Sequence, residues 1–165
     1  MKNGLIQTEQ MPIYQIVVLC FGTPTVAGDS LGPLTGSALI ERGAPCFVYG
    51  TLNRPVTAKN MDDYMNFIKC AHDGALLLAV DAGLGDKGKI GSYSIRSDGV
   101  CPAAVGGKKA RVGDVGILGI VGSREGDHYA ALLSASTLKV QEMANKLSVV
   151  IKCAVESFIG NMRTV

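Results

Sequence analysis

The chain has 165 residues, with 16 Lys and Arg against 14 Asp and Glu, for a formal net charge of +2. That length fits one domain. The near-neutral balance and the absence of Trp exclude the clustered basic face and stacking platform on which nucleic-acid binding rests. At 47% apolar and 18% charged, the composition describes a well-filled core with some surface covered by a partner, which leaves room for a homo-oligomer.

Residues 1–12 are mostly polar and read as a loose N-terminal tail. Residues 16–21 form a continuous apolar run, the pattern of a strand buried on both faces of a parallel sheet. The loop Gly22-Thr-Pro-Thr-Val-Ala-Gly28 follows, and Asp29 or Ser30 is placed to cap a helix reaching to about residue 42. A second strand is expected over 46–52, with Asn53 and Pro55 at its exit. Asn60 can cap a second helix whose first turn carries Asp62 and Asp63 and whose buried stripe is Met61, Tyr64, Met65 and Ile68. Residues 75–80 are a third strand that stops at Asp81-Ala-Gly83; further strands are expected over 90–95 and 115–121. In the C-terminal helix, Leu138, Met143, Ala144, Leu147, Val150, Ile151, Ala154, Val155 and Phe158 recur on one stripe. This alternation predicts one α/β domain, a mainly parallel sheet with helices on both faces.

Cys20, Cys46, Cys70, Cys101 and Cys153 show no Cys-x-x-Cys pair. Their odd number fits neither a disulfide framework nor a zinc site, so they read as reduced core residues of a cytosolic protein. The apolar run 13–21 is too short and too interrupted for a signal peptide, and no stretch is long enough to cross a bilayer.

In an open parallel sheet, ligands bind beyond the carboxyl ends of the strands, where strand order reverses. If strands one and three are neighbours, Asp29 and Asp81 face each other across that crevice. Alone, Asp29 reads as a helix cap and Asp81 as a turn residue. Together they form a pair that can share a proton, activate water and protonate a leaving group. The glycine loop lacks both dinucleotide and phosphate-loop motifs, and Asp29 at the helix entrance repels an anion. His72 precedes strand three and falls at the wrong end of the sheet. His128 follows strand five and is the one histidine placed to serve as a metal ligand beside the acids. Lys108, Lys109 and Arg111 read as a solvated basic loop, or as a clamp for a substrate carboxylate. No cofactor is expected.

The segments Cys20-Phe-Gly-Thr-Pro-Thr-Val-Ala-Gly-Asp-Ser-Leu-Gly-Pro33, Tyr49-Gly-Thr-Leu-Asn-Arg-Pro-Val56, Ala79-Val-Asp-Ala-Gly-Leu-Gly85 and Val112-Gly-Asp-Val-Gly-Ile-Leu-Gly-Ile-Val121 resemble the YyaC-type sporulation proteins. The resemblance runs in order from about residue 16 to 158. That family is similar to the germination protease that degrades small acid-soluble spore proteins and, more distantly, to hydrogenase maturation proteases. The resemblance implies a three-layer α/β/α fold with a five-stranded mixed sheet in the order 2-1-3-5-4. It also implies a cytoplasmic protein of the forespore or mother cell.

In the germination protease, the acids of an Asp-x-Leu-Gly-Pro and an Asp-Ala-Leu motif are the proposed catalytic pair. Asp29-Ser-Leu-Gly-Pro33 and Asp81-Ala-Gly-Leu84 match them, making Asp29 and Asp81 the catalytic candidates. Gly22, Gly28, Ser30, Asn53 and Lys108 are the candidates for contacting a protein or peptide substrate. Three readings stand side by side: a peptidase using the aspartate pair, a non-catalytic binding or regulatory protein of the same fold, and a metal-dependent hydrolase using His128.

Overall fold

The computed structural model describes residues 15–102 and 111–162. Five strands form one sheet: β1 (Ile16–Cys20), β2 (Phe47–Tyr49), β3 (Leu76–Gly85), β4 (Tyr93–Arg96) and β5 (Val115–Ser123). Their order is β2-β1-β3-β5-β4, and every pairing is parallel except that of β4 with β5. Four helices flank the sheet: α1 (Leu31–Glu41), α2 (Met61–Ala71), α3 (His128–Leu133) and α4 (Thr137–Met162).

The apolar run of β1 shows why the sheet is covered twice. Side chains alternate across a strand, so Ile16, Val18 and Cys20 join the cluster under Leu39 of α1 and Leu147, Ile151 and Val155 of α4. Val17, Leu19 and Phe21 join Ile68 of α2 on the other face. Polar contacts then hold α1 against α4. Arg42 Nε donates to the Oγ of buried Ser148 at 2.9 Å, and Lys152 Nζ donates to the Arg42 carbonyl at 2.9 Å. Leu39 is fully buried in this layer. Leu39→Ala is expected to cost about 2–5 kcal/mol, as truncating a buried leucine typically does. The readout is a lower urea midpoint at unchanged slope.

Several element boundaries differ from the sequence expectations. β2 is three residues long rather than seven, because it is a half-exposed edge. β3 runs through Asp81 to Gly85 instead of stopping at it, since β5 continues alongside and supplies ladder partners. The acid is therefore a strand residue and not a turn residue. β4 begins at Tyr93 rather than at residue 90, a 3-10 turn at Lys87–Lys89 and the turn after it leading into the strand. In α4 the buried stripe is Val140, Met143, Ala144, Leu147, Ser148, Ile151 and Val155. Leu138 and Val150 are exposed, at 78% and 62%, so the covered stripe is narrower than the apolar one. Of the cysteines, Cys20 is buried and Cys46 half-buried, whereas Cys70, Cys101 and Cys153 are exposed. The reading of all five as core residues is thus corrected.

Candidate active site

The crevice arises from unequal strand lengths. β1 pairs with β3 only as far as Cys20, and Phe21 N–H makes the last link, donating to the Val80 carbonyl at 2.8 Å. The chain then swings away, with Phe21 bridging to Val56 and Gly22 N–H donating to the Val56 carbonyl at 2.9 Å. β3 runs on, so Asp81 stands at the point where its β1 neighbour departs.

Asp29 comes back to the same point by a tight return. The helix expected to be capped by Asp29 or Ser30 begins at Leu31 with Ser30 at the cap position, and a 3-10 turn, Gly28–Ser30, leads into it. Neither Asp29 nor Ser30 caps α1 through its side chain. Ser30 Oγ donates to the Ala27 carbonyl at 2.7 Å, and the Asp29 carboxylate accepts the Thr23 N–H at 2.7 Å. The turn packs against Gly22, whose φ is +132° and whose missing Cβ would lie 1.9 Å from the Asp29 carbonyl oxygen. Gly28 is needed for a different closeness, since a Cβ there would sit 3.0 Å from Leu132 of α3.

Both acids line one cleft of about 450 Å³, with Gly22, Thr23, Lys59 and an apolar lining of Phe21, Val56, Ala82, Pro102 and Leu132. Asp81 is only 6% exposed and accepts a 2.9 Å hydrogen bond from the Ala82 N–H. Burial, then the charge of Asp29, pushes its pKa up to about 8 against that bond. Burial also raises the Asp29 pKa, opposed by the Thr23 N–H. Two carboxyls in one cleft cannot both ionise freely. The cleft therefore pairs Asp81, held protonated near neutral pH, with a second, less buried carboxyl whose pKa is also raised.

The other sequence candidates are placed as follows. Gly22 lines the cleft, and Gly28 and Ser30 flank Asp29 in its turn. Asn53 lies exposed outside the lining. Lys108, with Lys109, lies outside the described residues, while Arg111 is engaged by Asp98 Oδ1 at 2.9 Å. His128 opens α3 but is not part of the cleft lining, and its Nε2 lies 3.1 Å from the Arg124 carbonyl. His72 sits before β3 at the amino end of the sheet, its ring between Tyr49 Oη at 2.6 Å and Gln15 Oε1 at 2.8 Å.

Among the described residues no group of three His, Cys, Asp or Glu side chains stands close enough to hold a metal ion. Two carboxyl groups already bonded to backbone N–H groups, with no imidazole or third acid beside them among the described residues, do not make up a metal donor set. Sequence reasoning missed Thr23, Lys59 and Leu132 as parts of the cleft. Only Leu132 carried a signal. Asp127 precedes an apolar run, and it caps α3 by accepting the Tyr129 and Ala130 N–H groups at 2.8 and 3.1 Å.

Comparisons with known proteins agree with this architecture. A family model described as "Protein of unknown function (DUF1256)" matches residues 2–150. The uncharacterized protein YyaC of Bacillus subtilis (strain 168) is 42% identical over 136 residues, 81% of this chain and just under two thirds (66%) of that protein. The crystal structure of a NiFe hydrogenase maturation protease, HycI from Thermococcus kodakarensis KOD1, superposes with a TM-score of 0.59 at 21% identity. The superposition covers 86% of this chain and 92% of that one. At that identity the likeness is one of fold.

Proposed function

The chain belongs to the DUF1256 family of proteins of unknown function, and from that premise we propose that it is a peptidase whose Asp29/Asp81 pair hydrolyses a peptide bond in a protein substrate. One observation carries the reading: a nearly buried Asp81, held protonated by burial and by Asp29, shares a cleft with that second acid. The two environments support a division of roles. Asp29 is the more exposed acid, ionises first and acts as the base toward water. Asp81 keeps its proton and donates it to the leaving amide nitrogen. The apolar lining lowers the local dielectric and strengthens both effects. The proposed setting is the cytoplasm of a sporulating cell, which the family resemblance implies. Among the described residues no helix is long and apolar enough to cross a membrane.

The test is incubation of the purified protein with a spore-protein extract and identification of new termini by mass spectrometry. Cleavage is expected from the wild type and is expected to fall about 10²- to 10⁴-fold in Asp29→Asn and in Asp81→Asn, as loss of an acid–base residue typically brings. Undiminished cleavage by Asp81→Asn would sink the mechanism. The pH profile of kcat/KM is expected to fall on the alkaline side near 8, where Asp81 loses its proton. It is expected to fall on the acidic side as Asp29 gains one.

A further inference from the structure

On the sheet face that carries Asp81, β5 and β4 build a second hollow beyond the acid. Directly paired residues turn their side chains to the same face. Asp81, Leu118 of β5 and Ser94 of β4 therefore stand in one row across the sheet. β3 continues past the acid as Ala-Gly-Leu-Gly. A Cβ on Gly83 would lie 2.8 Å from the Leu118 side chain, and one on Gly85 2.9 Å from that of Ile120. Leu118 and Ile120 thus lean over bare backbone as an apolar floor. They line a groove of about 480 Å³.

The charges around this floor are of one sign. Lys89, Arg96 and Arg124 line the groove, and among the described residues no Asp or Glu does. Asp86, outside the lining, pairs with Lys89 at 3.6 Å and with Arg124 at 3.2 Å. Arg96 has no ion-pair partner among the described residues. Three cations against one shared carboxylate leave a positive surplus, and the apolar floor strengthens its pull on an anion. Strand spacing sets the reach. Neighbouring strands lie about 4.8 Å apart, which puts Ser94 about 10 Å from Asp81. Arg96 is two residues further along the same strand. An extended peptide, at about 3.3 Å per residue, spans that distance in roughly three to four residues.

We propose that this groove receives an acidic, partly apolar segment of the protein substrate. An aliphatic side chain settles on Leu118 and Ile120, and an Asp or Glu meets Arg96, roughly three to four residues from the bond held at Asp81. The identity of the occupant rests on the peptidase reading, to which the groove adds a substrate class: polypeptides with a carboxylate close to the scissile bond.

The experiment is calorimetric titration of the full chain carrying Asp81→Asn, so that cleavage does not enter. The probe is a peptide of leucines and glutamates spaced by glycine and serine. Affinity is expected to fall at least about tenfold when glutamines replace the glutamates, and by a similar factor on adding Arg96→Glu, as like charges facing across a contact do. Lys146→Glu makes the same change of net charge on the exposed side of α4 and is expected to leave the affinity as it was. Arg96→Glu with Lys89→Glu is expected to bind the lysine counterpart of the peptide more tightly than the unreversed groove does, which also shows that it has folded. A Kd for the glutamate peptide weaker than about 1 mM overturns the proposal. Equal losses in Arg96→Glu and Lys146→Glu overturn it too, since they would mean a general pull of net charge. In the wild type, new termini are expected to carry Asp or Glu at that spacing from the cut, and cuts indifferent to acids overturn the proposal. Selective binding without any cleavage leaves the acidic-peptide site standing and removes the peptidase reading alone.

Discussion

Asp81→Asn is expected to stabilise the protein while abolishing any hydrolysis, and to stabilise it more at pH 8 than at pH 4. The sign follows from proton linkage. In the folded chain Asp81 holds its proton up to about pH 8, whereas an unperturbed aspartate releases it near the reference value of 3.8. Between those values the unfolded chain binds fewer protons than the folded one, so stability falls as pH rises. The whole penalty is present above about pH 8 and is absent once both states are protonated, near pH 3. Asn is nearly the same shape, still accepts the Ala82 N–H and carries no charge to bury.

The substitution therefore removes a penalty on the order of 5 kcal/mol at pH 8, or roughly 10–20 °C in melting temperature for a domain of this size. Near pH 4 the two proteins are expected to melt within about 2 °C of each other, since little of the penalty remains there. Asp29→Asn removes one source of the Asp81 shift, so the double variant gains less than the sum of the singles. Equal melting temperatures at both pH values, or a loss of stability in Asp81→Asn, would mean that Asp81 is ionised and internally paired. The peptidase proposal would then lose its acid.

Much of this site is legible in the sequence, but only at the level of strands and charges. The run at residues 16–21 and the abrupt arrival of Asp81 after residues 75–80 place two acids at the carboxyl ends of two buried strands. The periodicity of α2 and α4 fixes helices on the faces. What escapes depends on tertiary pairing. Whether β3 stops at Asp81 or continues is decided by the length of β5 beside it, and Gly83 and Gly85 argue locally for a turn. The return of residues 22–30 is decided by backbone packing around Gly22, which no periodicity reports. The α4 stripe looks wider in the sequence than in the fold because Leu138 and Val150 are apolar without being covered. Pattern records what a side chain is and not what lies opposite it.

Gly22→Ala provides the second large expected effect, and it tests how the crevice is held open. The φ of +132° at Gly22 lies where side-chain-bearing residues are strained. Strain alone, however, does not set the cost. At Gly126, with φ +85°, an alanine methyl would meet nothing within 4 Å, so Gly126→Ala carries only the torsional penalty, about 1–2 kcal/mol. At Gly22 the same methyl would lie 1.9 Å from the Asp29 carbonyl oxygen and 3.2 Å from Pro33 Cδ. The first contact is to backbone, which cannot turn aside as a side chain does. The 3-10 turn must move as a unit, and its movement breaks the 2.7 Å bond from Thr23 N–H to the Asp29 carboxylate.

Gly22→Ala is therefore expected to cost more than about 4 kcal/mol, adding backbone displacement to strain. Any folded remainder is expected to show a flatter dependence of stability on pH, because Asp81 loses the neighbouring charge that raises its pKa. Urea unfolding of the Gly22→Ala and Gly126→Ala variants at pH 5 and pH 8 reads both effects. Equal costs at the two glycines would mean that the close approach of Asp29 to Gly22 is not what shapes the crevice. A large cost with unchanged pH dependence would mean that Asp29 reaches Asp81 by some other route than this turn.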